Sequence, residues 1–230
     1  MRIDIIAVIP DLMTSFFDNS IVKNARQKGH LEINVIDLRE FGKGGYRQID
    51  DYQYGGHAGM VLMPEPLAEC IDQLQNQLKY DEIIYLTPDG KTLDQRMANR
   101  LSLKGNLLLI CGHYKGIDQR IRDIYVTMEI SIGDYVLSGG ETAAIVLVDA
   151  IGRLIPGVIG DETSALSDTF QDDLLAPPVY TRPAEFKGLE VPEVLLSGHE
   201  KNIKEWHSQM SFEKTKQLRP DLFKKWNEGE

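Results

Sequence analysis

Strand-like and helix-like patterns alternate through the first two thirds of the chain, and this alternation limits the folds that the sequence can adopt. Short apolar, strand-like stretches occupy residues 2–10, 32–38, 81–86, 106–111 and 127–132. Helical patterns occupy residues 11–21, 64–78, 94–101, 119–124 and 143–151. A regular succession of strand and helix is typical of an α/β fold, in which a parallel sheet is covered by helices on both faces. The sequence therefore predicts this fold class.

Three of the predicted strands end in turn-forming residues. These strand ends are residues 86–88, 111–116 and 132–140. In an open parallel sheet, ligands bind beyond the carboxyl ends of the strands, so we expect the three loops to converge on one pocket. No GxGxxG follows the first strand and no GxxxxGK[ST] occurs in the sequence, which disfavours an ordinary dinucleotide fold and a P-loop NTPase.

The stretch 129–141 is more closely specified than an ordinary loop. Its glycines free the backbone for unusual angles and for close approach of a ligand, and bulky apolar residues lie between them: Gly133, Gly139 and Gly140 flank Tyr135, Val136 and Leu137. This composition indicates a half-buried loop that binds a flat, partly apolar ligand through backbone groups. A tight strand-to-helix connection packed on the core is an equally open interpretation.

A second glycine-rich segment, residues 41–60, has no apolar periodicity. Long loops of this kind are usually either functional or disordered. Three tyrosines and Arg47 lie among its glycines. Because aromatic rings and guanidinium groups stack on bases, the composition favours a nucleic-acid-binding role, with disorder as the alternative.

The last third of the chain differs from the rest in its composition and in its pattern of apolar and charged residues. We predict a domain over residues 1–160, a flexible interdomain linker over 161–176 and a small helical domain over 177–230. The linker is acidic, since residues 160–176 carry five acids and no base. Beyond Glu200 the pattern is helical, with a basic side formed by Lys201, Lys204, Lys214, Lys216, Arg219, Lys224 and Lys225. These side chains are either a nucleic-acid-binding surface or an ordinary solvated face.

Charge and cysteine usage narrow the class of protein. The net charge of −10 argues against a simple nucleic-acid coat protein, so nucleic-acid contacts would need local basic clusters. Cys70 and Cys111 form no CxxC, which favours the cytoplasm. Cys111 is either a nucleophile or, as we expect, a buried apolar residue. Neither a signal peptide nor a membrane span is expected, and the histidines lack zinc-site spacing.

Seven stretches, in order, resemble the bacterial tRNA (guanine-37-N1)-methyltransferase family of the SPOUT class, nearly from end to end. They are residues 54–60, 111–118, 129–141, 153–160, 164–170, 180–183 and 194–199. The resemblance implies a parallel sheet with a deep trefoil knot and a homodimer whose active sites are shared between subunits. It also implies S-adenosylmethionine bound at Leu86, Pro88, Gly112, Tyr114, Gly116, Ile132, Gly133, Asp134, Tyr135, Val136, Leu137 and Gly140.

The resemblance also implies how such an enzyme would work. Guanine N1 carries a proton at neutral pH, so a base must remove it while charge develops on O6. Asp168 matches the family's general base, and Arg153 matches the arginine that stabilises the charge. The substrate-binding residues would be Asp51, Tyr54, Gly59 and Ser164. The basic domain would bind the tRNA anticodon stem-loop. Magnesium would support activity, although the sequence shows no recognisable magnesium site.

Two residues depart from the commoner family pattern. His113 stands where arginine is usual, and Lys115 where glutamate is usual, which leaves their roles open. Three other functions remain as alternatives: a SPOUT enzyme that methylates ribose, a non-catalytic RNA-binding protein that keeps the knot, and a flavin or nucleotide enzyme on an open sheet. Asp168 and the loop at 54–60 argue against the first of them.

Overall fold

The chain forms two compact units, Met1–Gly160 and Asp161–Glu230. The computed structural model describes residues 1–158, 169–170 and 174–228. The strands of the first unit are β1 (Arg2–Ala7), β2 (Glu32–Asp37), β3 (Asp50–Tyr52), β4 (Met60–Leu62), β5 (Glu82–Thr92), β6 (Asn106–Cys111) and β7 (Met128–Ser131). Its helices are α1 (Asp11–Phe17), α2 (Ser20–Gln27), α3 (Pro64–Gln75), α4 (Gln95–Ser102), α5 (Gln119–Tyr125) and α6 (Glu141–Gly152).

Five strands form one sheet in the order β2-β1-β6-β5-β7, and every neighbouring pair is parallel. The parallel sheet predicted from the alternation of strands and helices is therefore confirmed. Strands β6, β5 and β7 are adjacent, so their carboxyl ends lie side by side at one edge. This adjacency is what brings the loops after the three strands together.

Both faces of the sheet are buried, as expected for a parallel sheet. Alternate residues of each strand enter different apolar clusters. Leu107 and Leu109 pack on one face with α1, α2, α4 and α6, whereas Leu108 and Ile110 pack on the other with α3 and α5. The continuous apolar run in β6 thus reflects burial on two sides.

The single helix predicted after residue 10 is in fact two helices. Asn19 has an extended backbone (φ −133°, ψ 168°), which cannot continue a helix. Its side-chain amide donates to the carbonyl oxygen of Ser15 at 2.7 Å and so satisfies a carbonyl near the end of α1. Aspartate favours the N-cap position, and the sequence predicts Asp11 as the cap of this helix. This prediction is wrong, because Pro10 is the N-cap and no side chain caps this end.

The sequence Thr-Pro-Asp-Gly at residues 87–90 predicts a turn that ends the preceding strand, but the strand does not end there. Strand β5 continues to Thr92, and both Leu86 and Lys91 lie opposite Ile130 of β7, so the residues between them form a bulge. A Cβ atom on Gly90 would lie 2.6 Å from the backbone nitrogen of Ile130. The glycine therefore serves close approach of two strands, rather than a free turn.

The glycine-rich segment 41–60 contains structure that its sequence did not predict. Strands β3 and β4 pair antiparallel, with Tyr52 opposite Met60. Leu62 also bridges to Ile117 in the loop after β6. Strands of three residues are too short to give a periodic signal, and this hairpin is defined by its contacts with the rest of the first unit.

The described residues of the second unit form a short hairpin and three helices. They are β8 (Glu185–Phe186), β9 (Leu189–Glu190), α7 (Glu193–Leu196), α8 (Glu200–Leu218) and α9 (Pro220–Glu228). Helices α8 and α9 meet through an aromatic cluster in which the rings of Phe212 and Phe223 lie 4.8 Å apart. The helices expected beyond Glu200 are present, whereas the hairpin was not predicted.

Most of the predicted linker, including residues 161–168 and 171–173, lies outside the described residues. Its last residues contact α8: the backbone N–H of Leu175 donates to Thr215 Oγ1 at 2.8 Å, and Lys214 Nζ donates to the carbonyl oxygen of Ala176 at 2.9 Å. Within the described ranges, no helix has both the length and the apolar character needed to span a bilayer.

Candidate functional site

A cavity of about 390 Å³ lies at the carboxyl ends of β5, β6 and β7. Its walls are the three loops that the sequence placed together, residues 85–89, 112–117 and 130–140. Cavities of this size accommodate small organic ligands and cofactors. The three loops therefore converge on one pocket, as predicted.

The loop at 112–117 is held by backbone pairing with β4. The N–H of Lys115 donates to the carbonyl oxygen of Met60, and the N–H of Leu62 donates to that of Gly116, both at 3.0 Å. Tyr114 has a positive φ of 57°, and its hydroxyl is hydrogen-bonded to Asp50, which raises the pKa of the phenol. The β3–β4 hairpin thus fixes one wall of the cavity.

The loop at 133–140 forms the opposite wall and touches the loop at 112–117 directly. The N–H of Gly140 donates to the carbonyl oxygen of Gly112 at 2.7 Å. A Cβ atom on Gly140 would lie 2.7 Å from Cα of Cys111, closer than such atoms can approach. Glycine is required here because two backbones are in contact.

An ionic network at the cavity rim was missed by the sequence reasoning. The Arg122 guanidinium donates to Glu129 at 2.8 and 2.6 Å and to Asp89 at 2.9 Å, and it lies 5.3 Å from the ring centre of Tyr85. Hydrogen bonds from the Thr87 hydroxyl and from Arg122 lower the pKa of Asp89. These residues come from separate elements, so no local pattern could have identified them.

The cavity is lined by nearly all of the residues predicted to bind the cofactor. Those lining it are Leu86, Pro88, Gly112, Tyr114, Gly116, Ile132, Gly133, Tyr135, Val136, Leu137 and Gly140. Asp134 is not among the lining residues, so this part of the prediction does not match the cavity. The Tyr135 ring folds back over Gly133, and its hydroxyl donates to the carbonyl oxygen of Ile132 at 3.2 Å.

The residues predicted to contact guanine lie on and beside the β3–β4 hairpin. Asp51 accepts from the N–H of Tyr52 at 2.7 Å, and Tyr54 is 99% exposed. Gly59 packs under the side chain of Lys115, whose Cγ would be 2.8 Å from a Cβ atom at this position. Ser164 and Asp168, predicted as substrate-binding and catalytic, lie outside the described residues.

Arg153 lies away from the cavity. It is the exposed C-cap residue of α6, whose beginning forms the cavity wall at Gly140 and Ala143. At roughly 1.5 Å of rise per residue, Arg153 lies about 15 Å along the helix from Ala143. An arginine side chain does not span this distance, so the arginine and the cavity of one chain do not meet.

Cys111 is a buried apolar residue and not a candidate nucleophile. The thiol lies at the end of β6 and is 1% exposed. Burial, and secondarily the charge of Glu141, raises its pKa well above the usual value, whereas a reactive cysteine needs the thiolate. Across the described residues, no group of three or more His, Cys, Asp or Glu side chains is arranged to hold a metal ion.

Comparison with known proteins places the chain in a family. The sequence profile described as "tRNA (Guanine-1)-methyltransferase TrmD" matches residues 1–225. A protein of Bacteroides fragilis named "tRNA (guanine-N(1)-)-methyltransferase" is 61% identical over 222 residues, covering 96% of this chain and 99% of its own. A protein of the same name from Cytophaga hutchinsonii is 58% identical over 229 residues, covering 100% of this chain and 97% of its own.

These matches extend over both structural units and include all three loops of the cavity. A Christiangramia forsetii protein with the same name is 60% identical, over 96% of this chain and 98% of its own. The chain therefore belongs to the tRNA (guanine-1)-methyltransferase family.

Proposed function

We propose that this protein methylates N1 of guanine at position 37 of tRNA, next to the anticodon, with S-adenosylmethionine as methyl donor. The observation that carries the proposal is the cavity at the ends of β5, β6 and β7, in a chain of the tRNA (guanine-1)-methyltransferase family. The cavity offers a binding site for the methyl donor. Membership of the family indicates guanine N1 of tRNA as the methyl acceptor.

The cavity suits S-adenosylmethionine in size and in chemistry. Its 390 Å³ and its mixture of apolar side chains with glycine backbone match a ligand that has a flat aromatic end and polar groups. The residues that would hold it are the eleven lining residues named above, with Asp134 beside them. When bound, the donor presents a methyl group on a sulfonium sulfur.

The chain must also remove the guanine N1 proton. The Asp168 carboxylate would accept this proton, and the Arg153 guanidinium would stabilise the negative charge that develops on O6. Asp51, Tyr54, Gly59 and Ser164 would position the flipped base. The exposed Tyr54 ring and the paired β3–β4 hairpin support this role, because together they offer an aromatic face on a fixed support.

The position of Arg153 supports a homodimer. Since Arg153 lies about 15 Å along α6 from the cavity of its own chain, it could act only if a second copy brings its α6 end to that cavity. We therefore include in the proposal an active site built from two subunits. Exposed apolar side chains on the 133–140 loop, with Val136 83% exposed, offer surface for such contact.

The deep trefoil knot of the SPOUT class is part of the same proposal. The close pairing of His113 with Gly139 and of Gly112 with Gly140 supports it. Backbones that cross at this distance are what a threaded loop would require. Glycines at 139 and 140 make the crossing sterically possible.

The second unit would bind the tRNA anticodon stem-loop through phosphate contacts. Lys201 and Lys204 on α8 and Lys225 on α9 are exposed, and Trp206 lies beside Tyr180 with ring centres 6.3 Å apart. Cations that neutralise phosphates give binding that weakens with salt. A cytoplasmic location fits this substrate and the free thiols of Cys70 and Cys111.

The test uses two tRNA transcripts that differ only at position 37, guanine or adenine, with methyl-labelled S-adenosylmethionine. We expect label on the guanine transcript alone, recovered as 1-methylguanosine by nucleoside analysis. Ribose-methylated product, or label on both transcripts, would refute the proposal. Omitting magnesium tests the metal dependence implied by the family, for which we assign no residues.

The role of Asp168 is tested by Asp168→Asn, with Asp172→Asn as the matched control in the same acidic stretch. We expect kcat to fall roughly 10²- to 10⁴-fold in the first variant, because general-base catalysis contributes about this factor. Calorimetric affinity for S-adenosylmethionine should not change in either variant. Normal turnover by Asp168→Asn would exclude Asp168 as the base.

Mixing two inactive variants tests the shared active site. Asp168→Asn keeps the cavity, and Ala143→Leu fills the cavity but keeps Asp168. If each site combines the cavity of one subunit with Asp168 of the other, subunit exchange should restore methylation in the mixture. Inactivity of the exchanged mixture would contradict a shared site.

A further inference from the structure

Two polar atoms, one on a cavity-lining residue and one on a residue next to the cavity lining in sequence, are buried without a hydrogen-bond partner among the residues that the structure describes. They are Oε2 of Glu141 and Nδ1 of His113. A buried polar group without a partner costs free energy, and a buried carboxylate costs more. Because both side chains lie beside the same glycine, Gly139, an interaction between them would remove this cost.

Both side chains lie over the same face of Gly139. A Cβ atom on this glycine would be 2.5 Å from Glu141 Oε2 and 2.7 and 2.9 Å from His113 Cδ2 and Nε2. The carboxylate oxygen and this edge of the imidazole therefore share the space that a side chain at 139 would fill. Nε2 faces this space as the ring stands, and a half turn of the ring would bring Nδ1 there instead.

The other oxygen of Glu141 already joins two elements. Oε1 accepts from the N–H groups of Val8 and Ile9, each at 3.1 Å, just beyond the end of β1. Glu141 is also the first residue of α6 and is 1% exposed. A carboxylate is favourable at this position because helix N-termini attract negative charge.

We propose that Glu141 and His113 form a hydrogen-bonded pair that sets the spacing between the two cavity loops, residues 112–117 and 133–140. An imidazole N–H donates to Glu141 Oε2, and Oε1 keeps its bonds to residues 8 and 9. Glu141 is thus a positioning residue that acts through His113. The role of His113, which stands where the commoner family pattern has arginine, is then to donate this hydrogen bond to Glu141.

This pair would matter for the cofactor, and that consequence rests on the proposed function. His113 lines the cavity on one side, and Gly139 and Gly140 line it on the other. A carboxylate that holds the imidazole against Gly139 fixes the width between them. Loss of either partner should therefore weaken S-adenosylmethionine binding more than it slows turnover at saturation.

The experiment is a double-mutant cycle with Glu141→Gln, His113→Phe and the double variant. Glutamine keeps an oxygen for Val8 and Ile9 but removes the charge, and phenylalanine keeps a ring without nitrogens. Glu69→Gln, an exposed residue of α3 outside the cavity lining, is the matched control. The Kd for S-adenosylmethionine is measured by calorimetry, with KM and kcat in the methylation assay.

We expect each single variant to raise Kd and KM about tenfold or more, with kcat at saturating donor reduced less. The Kd of the double variant should be no higher than that of the single variant with the larger effect. The reason is that each single substitution already removes the same charge-assisted hydrogen bond between residues 113 and 141. The control should bind as the wild type does. Independent effects that multiply in the double variant, or unchanged Kd values, would overturn the proposal.

Imidazole ¹⁵N NMR of the ligand-free protein provides a readout that does not depend on the cofactor. The His113 signals, assigned by their loss in His113→Phe, should shift in Glu141→Gln and stay in place in Glu69→Gln. Unshifted signals would overturn the pairing. If the wild type fails to bind S-adenosylmethionine, the proposed function is refuted instead. The NMR result alone then tests whether Glu141 and His113 are hydrogen-bonded.

Should Glu141→Gln fail to fold, His113→Phe carries the test alone. This variant leaves the carboxylate buried beside a ring that cannot donate. It must then bind S-adenosylmethionine more weakly than wild type, and an unchanged Kd overturns the proposal.

Discussion

Replacing Gly140 with alanine tests the contact between the two cavity loops. The backbone of Gly140 has φ −78°, which alanine adopts without strain, so any cost must come from the methyl group. That Cβ would lie 2.7 Å from Cα of Cys111 and 2.8 Å from the nitrogen of Gly112. Both are backbone atoms at the end of β6, a strand buried between two neighbours, and they cannot move aside cheaply.

The loop must therefore retreat and lose the 2.7 Å hydrogen bond from Gly140 to Gly112. Overpacking costs typically about 1–3 kcal/mol, and a lost hydrogen bond costs about 1 kcal/mol. Reduced entropy of the unfolded chain returns about 0.5–1 kcal/mol. We expect a net loss of roughly 1–3.5 kcal/mol in the free energy of unfolding, or about 2–14 °C in Tm for a chain of this size.

Gly152→Ala, at the other end of the same helix, is the matched control. Its Cβ would lie 3.7 Å from Leu31 Cδ2, an ordinary contact, and alanine favours a helix over glycine by up to about 1 kcal/mol. We expect this variant to be neutral or slightly stabilised. Urea and thermal unfolding of both variants, followed by circular dichroism, measure the difference. Equal midpoints for Gly140→Ala and wild type would refute the steric reasoning.

Two further predictions concern the second unit. In Thr215→Val the N–H of Leu175 loses its acceptor, so the free energy of unfolding should fall by about 1–3 kcal/mol in urea titrations; an unchanged urea midpoint would contradict this. The hydrogen bond from Arg219 lowers the pKa of Asp221 from 3.8 to about 2. Because the folded pKa is the lower one, the stabilisation is complete above pH 3.8 and is lost as the pH falls toward 2. The unfolding midpoint of Asp221→Asn should therefore depend less on pH between these values, and a slope equal to that of wild type would count against this pair.

The general architecture could be predicted because its signals are local. The continuous apolar run of β6 and the helical spacing in α3 each appear within a dozen residues, and their periods follow from strand and helix geometry. Elements defined by contacts with distant residues gave no such signal. The β3–β4 hairpin pairs strands of three residues, and β5 continues through a proline-containing bulge because β7 lies beside it.

The candidate site likewise has features that the sequence revealed and features that only the packing of the elements created. Its glycines could be recognised in the sequence: Gly133 has a positive φ, and Gly140 lies against the backbone of another loop. The Arg122 network with Asp89 and Glu129 could not, because its members are neighbours only after three elements pack together. The assignment of Asp168 and Arg153 came from resemblance to a family and stays a prediction.

The sequence by itself determined that this chain alternates strands and helices, carries its special loops at three strand ends and belongs to a tRNA-methylating family. Only the tertiary structure decided that β6, β5 and β7 are adjacent, that Gly139 lies beneath both Glu141 and His113, and that Arg153 lies away from the cavity. The physical reason is that periodicity reports how each segment is buried, whereas distances between segments depend on packing that no single segment encodes.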